Sequence, residues 1–427
     1  MQHSRRPSRP GRPPMVLLVL AALAAAPAPA ADRLEAEALV RRVLEANPGL
    51  RAARAAWQAA RARIGQVSAL DDPRLMYALA PDTRGLPGQA TGQKLRLSQR
   101  LPWPGKRRLA GLEARHQAEA AHQDAEAVRL RLAATARRAW AEWYFVHQAL
   151  AVNRDSLALW GEFRRLAEGR YATGQANKQD ALRAEMQEAL LRHRAIVLER
   201  KRRDILAEIN RLLHRPPDQP LPPPAAPPDE PPLPAAPVLR AAAHRLRPEL
   251  RAGEAMVAAR RARLRLARRD YLPDFDASLA YNSLWNQDEK RFTAGLGLNI
   301  PLALGRRRAA LAEARSRLAR ARWRLADLRS RIDSEVQRAY DAVTESRHAL
   351  ALYRDRLLPL AEETLAAARS DYRAGQGDFL DLAGAERHLF DTRLGVTRAR
   401  ADLHRNLALL VQAVGRDPLP AAGRNGE

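Results

Sequence analysis

Two runs of three cations stand at matching places in the chain, Lys106-Arg107-Arg108 and Arg306-Arg307-Arg308. Each follows a proline- and glycine-containing corner, in "SQRLPWPGKRR" (98–108) and "GLNIPLALGRRR" (297–308). Both runs open long stretches of helical periodicity, so the six cations crowd two helix N-termini, where the dipole disfavours positive charge. Such an arrangement asks for an anionic partner rather than for catalysis. The residue types that usually carry reactions are spread thinly. Cysteine is absent, which removes disulfides, thiolate metal sites and Cys nucleophiles together. The ten histidines are scattered, and His116 and His122 do not share a helical face. There is no phosphate-cradling glycine loop, nucleophile elbow or His-Glu-x-x-His. The sequence predicts no enzyme, no cofactor and no bound-metal site.

The elements that hold the two corners belong to a duplicated chain. "NPGLRAARAAWQAARARI" (47–64) aligns with "RPELRAGEAMVAARRARL" (247–264), and Pro73, Gly105 and Ala114 then meet Pro273, Gly305 and Ala314. Further on, "RYATGQANKQDALRAE" (170–185) pairs with "DYRAGQGDFLDLAGAE" (371–386). The copies span 31–214 and 238–415. Between them lies 215–237, in which 12 of 23 residues are proline, a density that excludes helix and makes an extended, stiff linker. A flexible tail is expected at 416–427.

Each copy reads as helix, two short strands, very long helix, glycine turn, helix. The first helices are expected over about 33–70 and 238–270. In the strands, Leu75, Tyr77 and Leu79 share one face. Leu95, Leu97 and Leu101 alternate with Lys94, Arg96, Ser98 and Arg100. The second copy gives Phe275, Ala277, Leu279 and Tyr281, then Ala294, Leu296, Leu298 and Ile300. Period-two alternation marks strands with one apolar and one polar face. Membrane barrel strands carry this signature, and so do surface hairpins packed on helices. Trp103, at a strand end, stands where an aromatic girdle would lie. Four strands cannot close a barrel and open edges cannot face lipid, so a membrane assignment requires several protomers to share one barrel.

Residues 105–168 and 306–373 read as long helices, with Pro359 as their one internal proline. Leu311, Leu318, Leu325 and Ile332 step by seven. After a four-residue hop, Val336, Val343, Leu350 and Leu357 step by seven again, and Leu132, Ala136, Trp143, Leu150 and Leu157 trace a like path. The hop is a stutter, which locally unwinds a supercoil. Both a tube wall and a plain coiled-coil rod fit it. The returning helices are expected at 177–214 and 379–415. Gly174 and Gly375 fit positions just past a helix end, and Asp180 and Asp381 the favoured acidic place near the next helix start.

The N-terminus supplies an address. Arg5, Arg6, Arg9 and Arg12 precede the apolar run "MVLLVLAALAAA" (15–26) and small residues at 28–31, the pattern of a secretory signal over 1–30. That run is shorter than the roughly 20 residues of a spanning helix. The formal net charge is +25 at pH 7, four of those charges within the signal. With the remaining arginines spread along every helix and no nucleic-acid motif present, solvated helix faces account for them better than nucleic acid.

Corner, tip turns, duplication and signal together resemble the TolC family of outer-membrane efflux proteins. The likeness rests on "LSQRLPWPGKRR" (97–108), "LGLNIPLALGRRR" (296–308) and the Tyr-x-x-Gly turns at Tyr171/Gly174 and Tyr372/Gly375, and it covers nearly all the chain after the signal. "PWPGK" resembles the heavy-metal branch, the outer-membrane factors of cobalt–zinc–cadmium and copper–silver efflux. The resemblance implies a mainly α fold with a small transmembrane β part. It implies a homotrimer in which four strands per protomer build a shared 12-stranded barrel over a periplasmic helical tube girdled by an equatorial domain. Implied partners are a periplasmic adaptor, an inner-membrane pump of the resistance-nodulation-division type and outer-membrane lipid. The expected activity is that of an exit duct for divalent metal cations. A multidrug or type I secretion duct uses the same fold, and a soluble periplasmic coiled-coil scaffold is the alternative of another class.

In that likeness Tyr171, Gly174, Asp180, Tyr372, Gly375 and Asp381 lie at the periplasmic tip. Pro102, Trp103, Pro104, Gly105, Pro301 and Gly305 form the barrel–tube junction. Lys106, Arg107, Arg108, Arg306, Arg307 and Arg308 are expected to meet anionic phospholipid head groups. Some relatives carry an Arg and an Asp that latch the tip, where this chain has Gly377 and Gly384. Many carry a lipidated Cys, which this chain lacks, so no lipid anchor is expected.

Overall fold

In the computed structural model, which describes residues 33–80, 92–228, 232–283 and 291–416, both copies show the same run of elements. The first holds α1 (Ala36–Ala46), α2 (Pro48–Ser68), β1 (Arg74–Ala80), β2 (Gly92–Leu101), α3 (Lys106–Ala172) and α4 (Lys178–Leu212). The second holds α5 (Ala236–Leu246), α6 (Pro248–Arg269), β3 (Phe275–Asn282), β4 (Phe292–Leu298), α7 (Leu304–Leu352), a π-helical turn (Tyr353–Leu357), α8 (Leu358–Ala374) and α9 (Phe379–Val414). The signal over 1–30 lies outside the described residues, as does the expected tail beyond residue 416.

Three helices differ from the sequence expectation, and proline is the cause each time. The single helices expected over 33–70 and 238–270 are broken at Asn47 and Arg247, both extended. Pro48 and Pro248 push the preceding residue out of the helical region, yet each suits the first turn of the next helix. The long helix over 306–373 is interrupted by the π-turn, because Pro359 supplies no N–H and crowds the preceding turn. α3 has no such interruption and runs 67 residues, about 100 Å.

The proline-rich linker ends before Ala236, where α5 begins, and its described first part is anchored. Leu34 pairs with Pro224 in an isolated parallel bridge, donating its N–H to the Pro223 carbonyl at 2.8 Å. From α3, Trp140 Nε1 donates to the Leu34 carbonyl at 2.7 Å and Trp143 Nε1 to that of Pro222 at 3.1 Å. The Trp143 indole thus satisfies a proline carbonyl, and that of Trp140 shares the Leu34 carbonyl with Ala225 N.

The strands form one antiparallel sheet in the order β1-β2-β3-β4. Its register lines up Leu75, Leu97, Leu279 and Ala294 in one cross-strand row, and Tyr77, Leu95, Tyr281 and Phe292 in the next. Below the sheet α2, α3, α6 and α7 pack side by side in the same order. Farther down, α3 packs on α4 and α9, and α8 on α9. Alanines line the upper contacts, such as Ala120 against Ala252 and Ala255, which lets the helices approach closely. Larger cores sit lower. One joins Val43, Trp140, Val146 and Ile209, and its counterpart in the second copy joins Leu239, Ile332, Val336 and Leu410. A shared core, with Trp160, Phe163, Leu365, Tyr372 and Phe379, closes the far end. The expected seam is therefore real: Leu318, Ile332, Val336 and Val343 are buried along α7.

Candidate functional site

The sheet carries an apolar face with no cover. Leu75, Tyr77, Leu279, Phe292 and Leu296 are each more than half exposed, Leu296 at 74 %. The opposite face presents Lys94, Arg96, Ser98, Asp276 and Ser278. Among the described residues, both outer strands, β1 and β4, have one unpaired edge. Among the described residues no helix is long and apolar enough to cross a membrane.

At the first corner, Gly105 turns β2 into α3 with φ +90°. A Cβ there would lie 2.2 Å from Arg269 Nη1, the guanidinium that donates to the Pro104 carbonyl. The positive φ calls for glycine, and a Cβ would also displace that guanidinium. Trp103 stacks on Phe275 with ring centres 5.5 Å apart, on the apolar side. The second corner is built differently. Leu302 N donates to the Ile300 carbonyl at 2.9 Å and Leu304 N to that of Leu302 at 2.8 Å, two successive three-residue turns around Pro301. Gly305 lies inside α7 with no atom near a Cβ added to it.

One carboxylate binds the junction together. Asp274 accepts from Trp103 N at 2.9 Å, Lys106 Nζ at 2.7 Å and Arg100 Nη2 at 2.8 Å, while its own N–H donates to Asn299 Oδ1 at 2.6 Å. Ends of β2 and β4 and starts of α3 and β3 thus converge on a single residue, β2 and α3 through its carboxylate and β4 through its main chain. Burial pushes its pKa up, but hydrogen bonds from Lys106, Trp103 and Arg100 outweigh that and hold it at about 2. Lys106 is engaged there and with the Leu272 carbonyl, Arg107 with that of Ser68, and Arg307 with that of Asp270. Sequence reasoning missed Asp274. Its signal is weak: an acid before a strand, where the first copy has Arg74.

At the other end the two glycine turns meet. Gly174 and Gly375 hold φ +72° and +78° past α3 and α8. Arg170 bridges the turns. It donates to the Tyr372 carbonyl and to that of Gln175 at 3.3 Å, with its guanidinium 4.6 Å from the Tyr372 ring centre. Tyr372 is buried against Phe379, whereas Tyr171 is half exposed, so the paired tyrosines are not equivalent. Burial and then the charge of Asp378 push the Asp180 pKa up, against Arg183 and Arg170. Asp378 caps α9 by accepting from Leu380 N, while Asp381 is exposed. Arg170 escaped the sequence reading because Tyr372 lies in the other copy, whereas Asp378 carried a local signal, an acid just before the first residue of α9. Higher up, buried Glu386 on α9 accepts from Ser156 and from Trp160 Nε1, at 2.6 Å for the latter, linking α9 to α3.

This arrangement can bind a bilayer with one face and stand as a shaft below it. Among the described residues no three His, Asp or Glu side chains gather as a metal site. Similar solved structures include that of CusC (20% identity, TM-score 0.77, covering 89% of this chain and 92% of that one). The Vibrio cholerae outer-membrane protein VceC is similar at 17% identity and TM-score 0.74, with 89% and 96% covered. The open Neisseria gonorrhoeae outer-membrane channel MtrE is similar at 19% identity and TM-score 0.75, with 90% and 89% covered. At these identities the likeness shows the TolC-like fold. No curated protein matches the sequence. The sequence model of the outer membrane efflux proteins, however, matches residues 39–214 and 239–416, one stretch per copy, and the chain belongs to that family.

Proposed function

We propose that the chain is the outer-membrane exit duct of a tripartite efflux system. It assembles as a homotrimer whose sheets close one 12-stranded barrel, and it works with a periplasmic adaptor and an inner-membrane pump of the resistance-nodulation-division type. The observation that carries this reading is the uncovered apolar sheet face with two free edges above a helical shaft about 100 Å long. Free edges cannot face hydrocarbon, so neighbouring copies must pair with them. The tip at Tyr171, Gly174, Asp180, Tyr372, Gly375 and Asp381 is the entrance, and its opening requires the Arg170 bridge to part. Divalent heavy-metal cations are the proposed cargo, supported by the "PWPGK" corner (102–106). A duct needs polar walls rather than ligands, since a tight site would retain what it should release.

Deletion of the gene tests both parts. Growth across zinc, cobalt, cadmium, copper, silver and a panel of drugs should show hypersensitivity confined to metals. Sensitivity to drugs alone would keep the duct and overturn the cargo. A protein found in the soluble periplasm would overturn the duct in favour of a scaffold.

A further inference from the structure

A cleft of about 700 Å³ lies just below the first corner, between the end of α2, the start of α3 and the end of α6. Arg107, Arg108, Arg115 and Arg265 line it. Arg107 is spent on the Ser68 carbonyl, through Nε at 2.9 Å and Nη2 at 2.6 Å. Arg108, Arg115 and Arg265 are exposed and form no ion pair among the described residues. The carboxylate on this part of α3, Glu113, faces Arg260 at 3.9 Å instead. At Gly111 a Cβ would come within 2.8 Å of Ser68 Oγ, so α2 and α3 close tightly and fix the cleft wall.

Helical geometry sets the cleft's α3 arginines on the side away from the polar sheet face. Lys106 and Arg100 meet at Asp274, on the polar side. Arg108 and Arg115 lie roughly half a turn around α3 from Lys106, at about 100° per residue. Trp103 and Phe275 stack on that same apolar side, just above. Arg108 to Arg115 fall within about 15 Å of the corner. Because α2, α3 and α6 are the first three helices of the wall and the cleft lies where they meet, β4 and α7 at one edge do not reach it.

We infer that this cleft binds the phosphate of an anionic phospholipid head group, with Arg108, Arg115 and Arg265 as its ligands. The inference rests on the reading that the apolar sheet face meets lipid. Guanidinium forks suit phosphate oxygens, and three cations without counter-charge beside an apolar belt fit a lipid better than a free ion. The site differs from the six-cation cluster expected from the sequence. Lys106, Arg107 and Arg307 have protein partners, and Arg115 and Arg265 join from other turns and another helix.

The test uses the full-length protein purified in detergent, with native mass spectrometry counting bound lipid during titration with phosphatidylglycerol, phosphatidylcholine or inorganic phosphate. Wild type should retain phosphatidylglycerol selectively, and less of it as salt rises. R108Q/R115Q/R265Q should bind it about a hundredfold more weakly. R108K/R115K/R265K, which keeps the charge, should lose no more than about tenfold and guards against a folding defect. Equal phosphatidylglycerol binding by the Gln variant would overturn the site. Equal retention of phosphatidylcholine by wild type, a lipid whose choline cation balances its phosphate, would overturn the preference for an anionic head group. Displacement of phosphatidylglycerol by equimolar inorganic phosphate would make it a free-anion site. Membrane fractionation run beside these titrations separates the two failures: protein in the soluble periplasm overturns the membrane reading beneath the proposal, whatever the cleft binds.

Discussion

A single carboxylate, Asp274, decides how the strands enter the helices. It takes three donors from the other copy's corner and lies next to the strand rather than in it. Its pKa of about 2 is below the unfolded value near 3.9, so it stabilises the fold above pH 4, and that contribution is lost as pH falls towards 2. Allowing for water around the half-exposed Arg100 arm, the loss is about 1–2 kcal/mol. Thermal melting of detergent-solubilised protein should show a fall in melting temperature between pH 4 and 2 that D274N abolishes, while D274N is less stable at pH 7. An unchanged acid limb in D274N would assign the acid sensitivity elsewhere. Asp180 has the opposite sign: its raised pKa means that ionisation opposes the folded tip, so its contribution is greatest at low pH and is lost as pH rises through that pKa. Little of this was legible in the sequence. Lys106 reads as a cation at a helix start, and nothing local shows that its counter-charge lies 168 residues away.

At the scale of elements, the long helix of the second copy is interrupted where the chain cannot keep a regular ladder. The π-turn at Tyr353–Leu357 precedes Pro359, and the Tyr353 ring lies where Gly395 of α9 leaves room. A Cβ on Gly395 would stand 2.3 Å from Tyr353 Cε1. G395A should therefore cost about 1–3 kcal/mol, with Y353A in the same chain recovering part of it. A double-mutant cycle by thermal unfolding measures this, and additive losses would disprove the contact. The strands and the glycine turns were legible because period-two alternation and left-handed backbone have local causes. The seven-residue stepping was legible too: Leu318, Ile332, Val336 and Val343 are buried, and Leu311, Leu325, Leu350 and Leu357 are half-buried. The breaks at Asn47 and Arg247 had a visible signal in Pro48 and Pro248, but helical periodicity runs through both. The π-turn had less, since one proline does not say how a neighbouring helix will accommodate it.

For the whole molecule, the two faces of the sheet carry opposite demands, and those demands decide the assembly. Leu279 and Ser278 are neighbours on β3, one in the exposed apolar row beside Leu97 and the other beside Ser98. If the apolar face meets hydrocarbon, an arginine at Leu279, near the middle of the strand, costs about 2–4 kcal/mol, whereas an arginine at Ser278 projects into water and costs far less. L279R should therefore deplete the oligomer recovered from the outer-membrane fraction, and S278R should leave its yield near wild type. A soluble scaffold whose sheet packed on another protein would suffer at Leu279 as well, but it would be recovered without detergent. The reverse ranking, with S278R the more damaging, would mean that the face carrying Leu279 meets water and would overturn the membrane reading. The arginine cleft follows the same geometry, because its α3 arginines lie on the side away from the polar sheet face. If L279R removes the protein from the membrane while S278R does not, head-group binding at Arg108, Arg115 and Arg265 has its required neighbour. In the proposed reading, one face of one strand thus separates the surface that meets lipid from the surface that meets water.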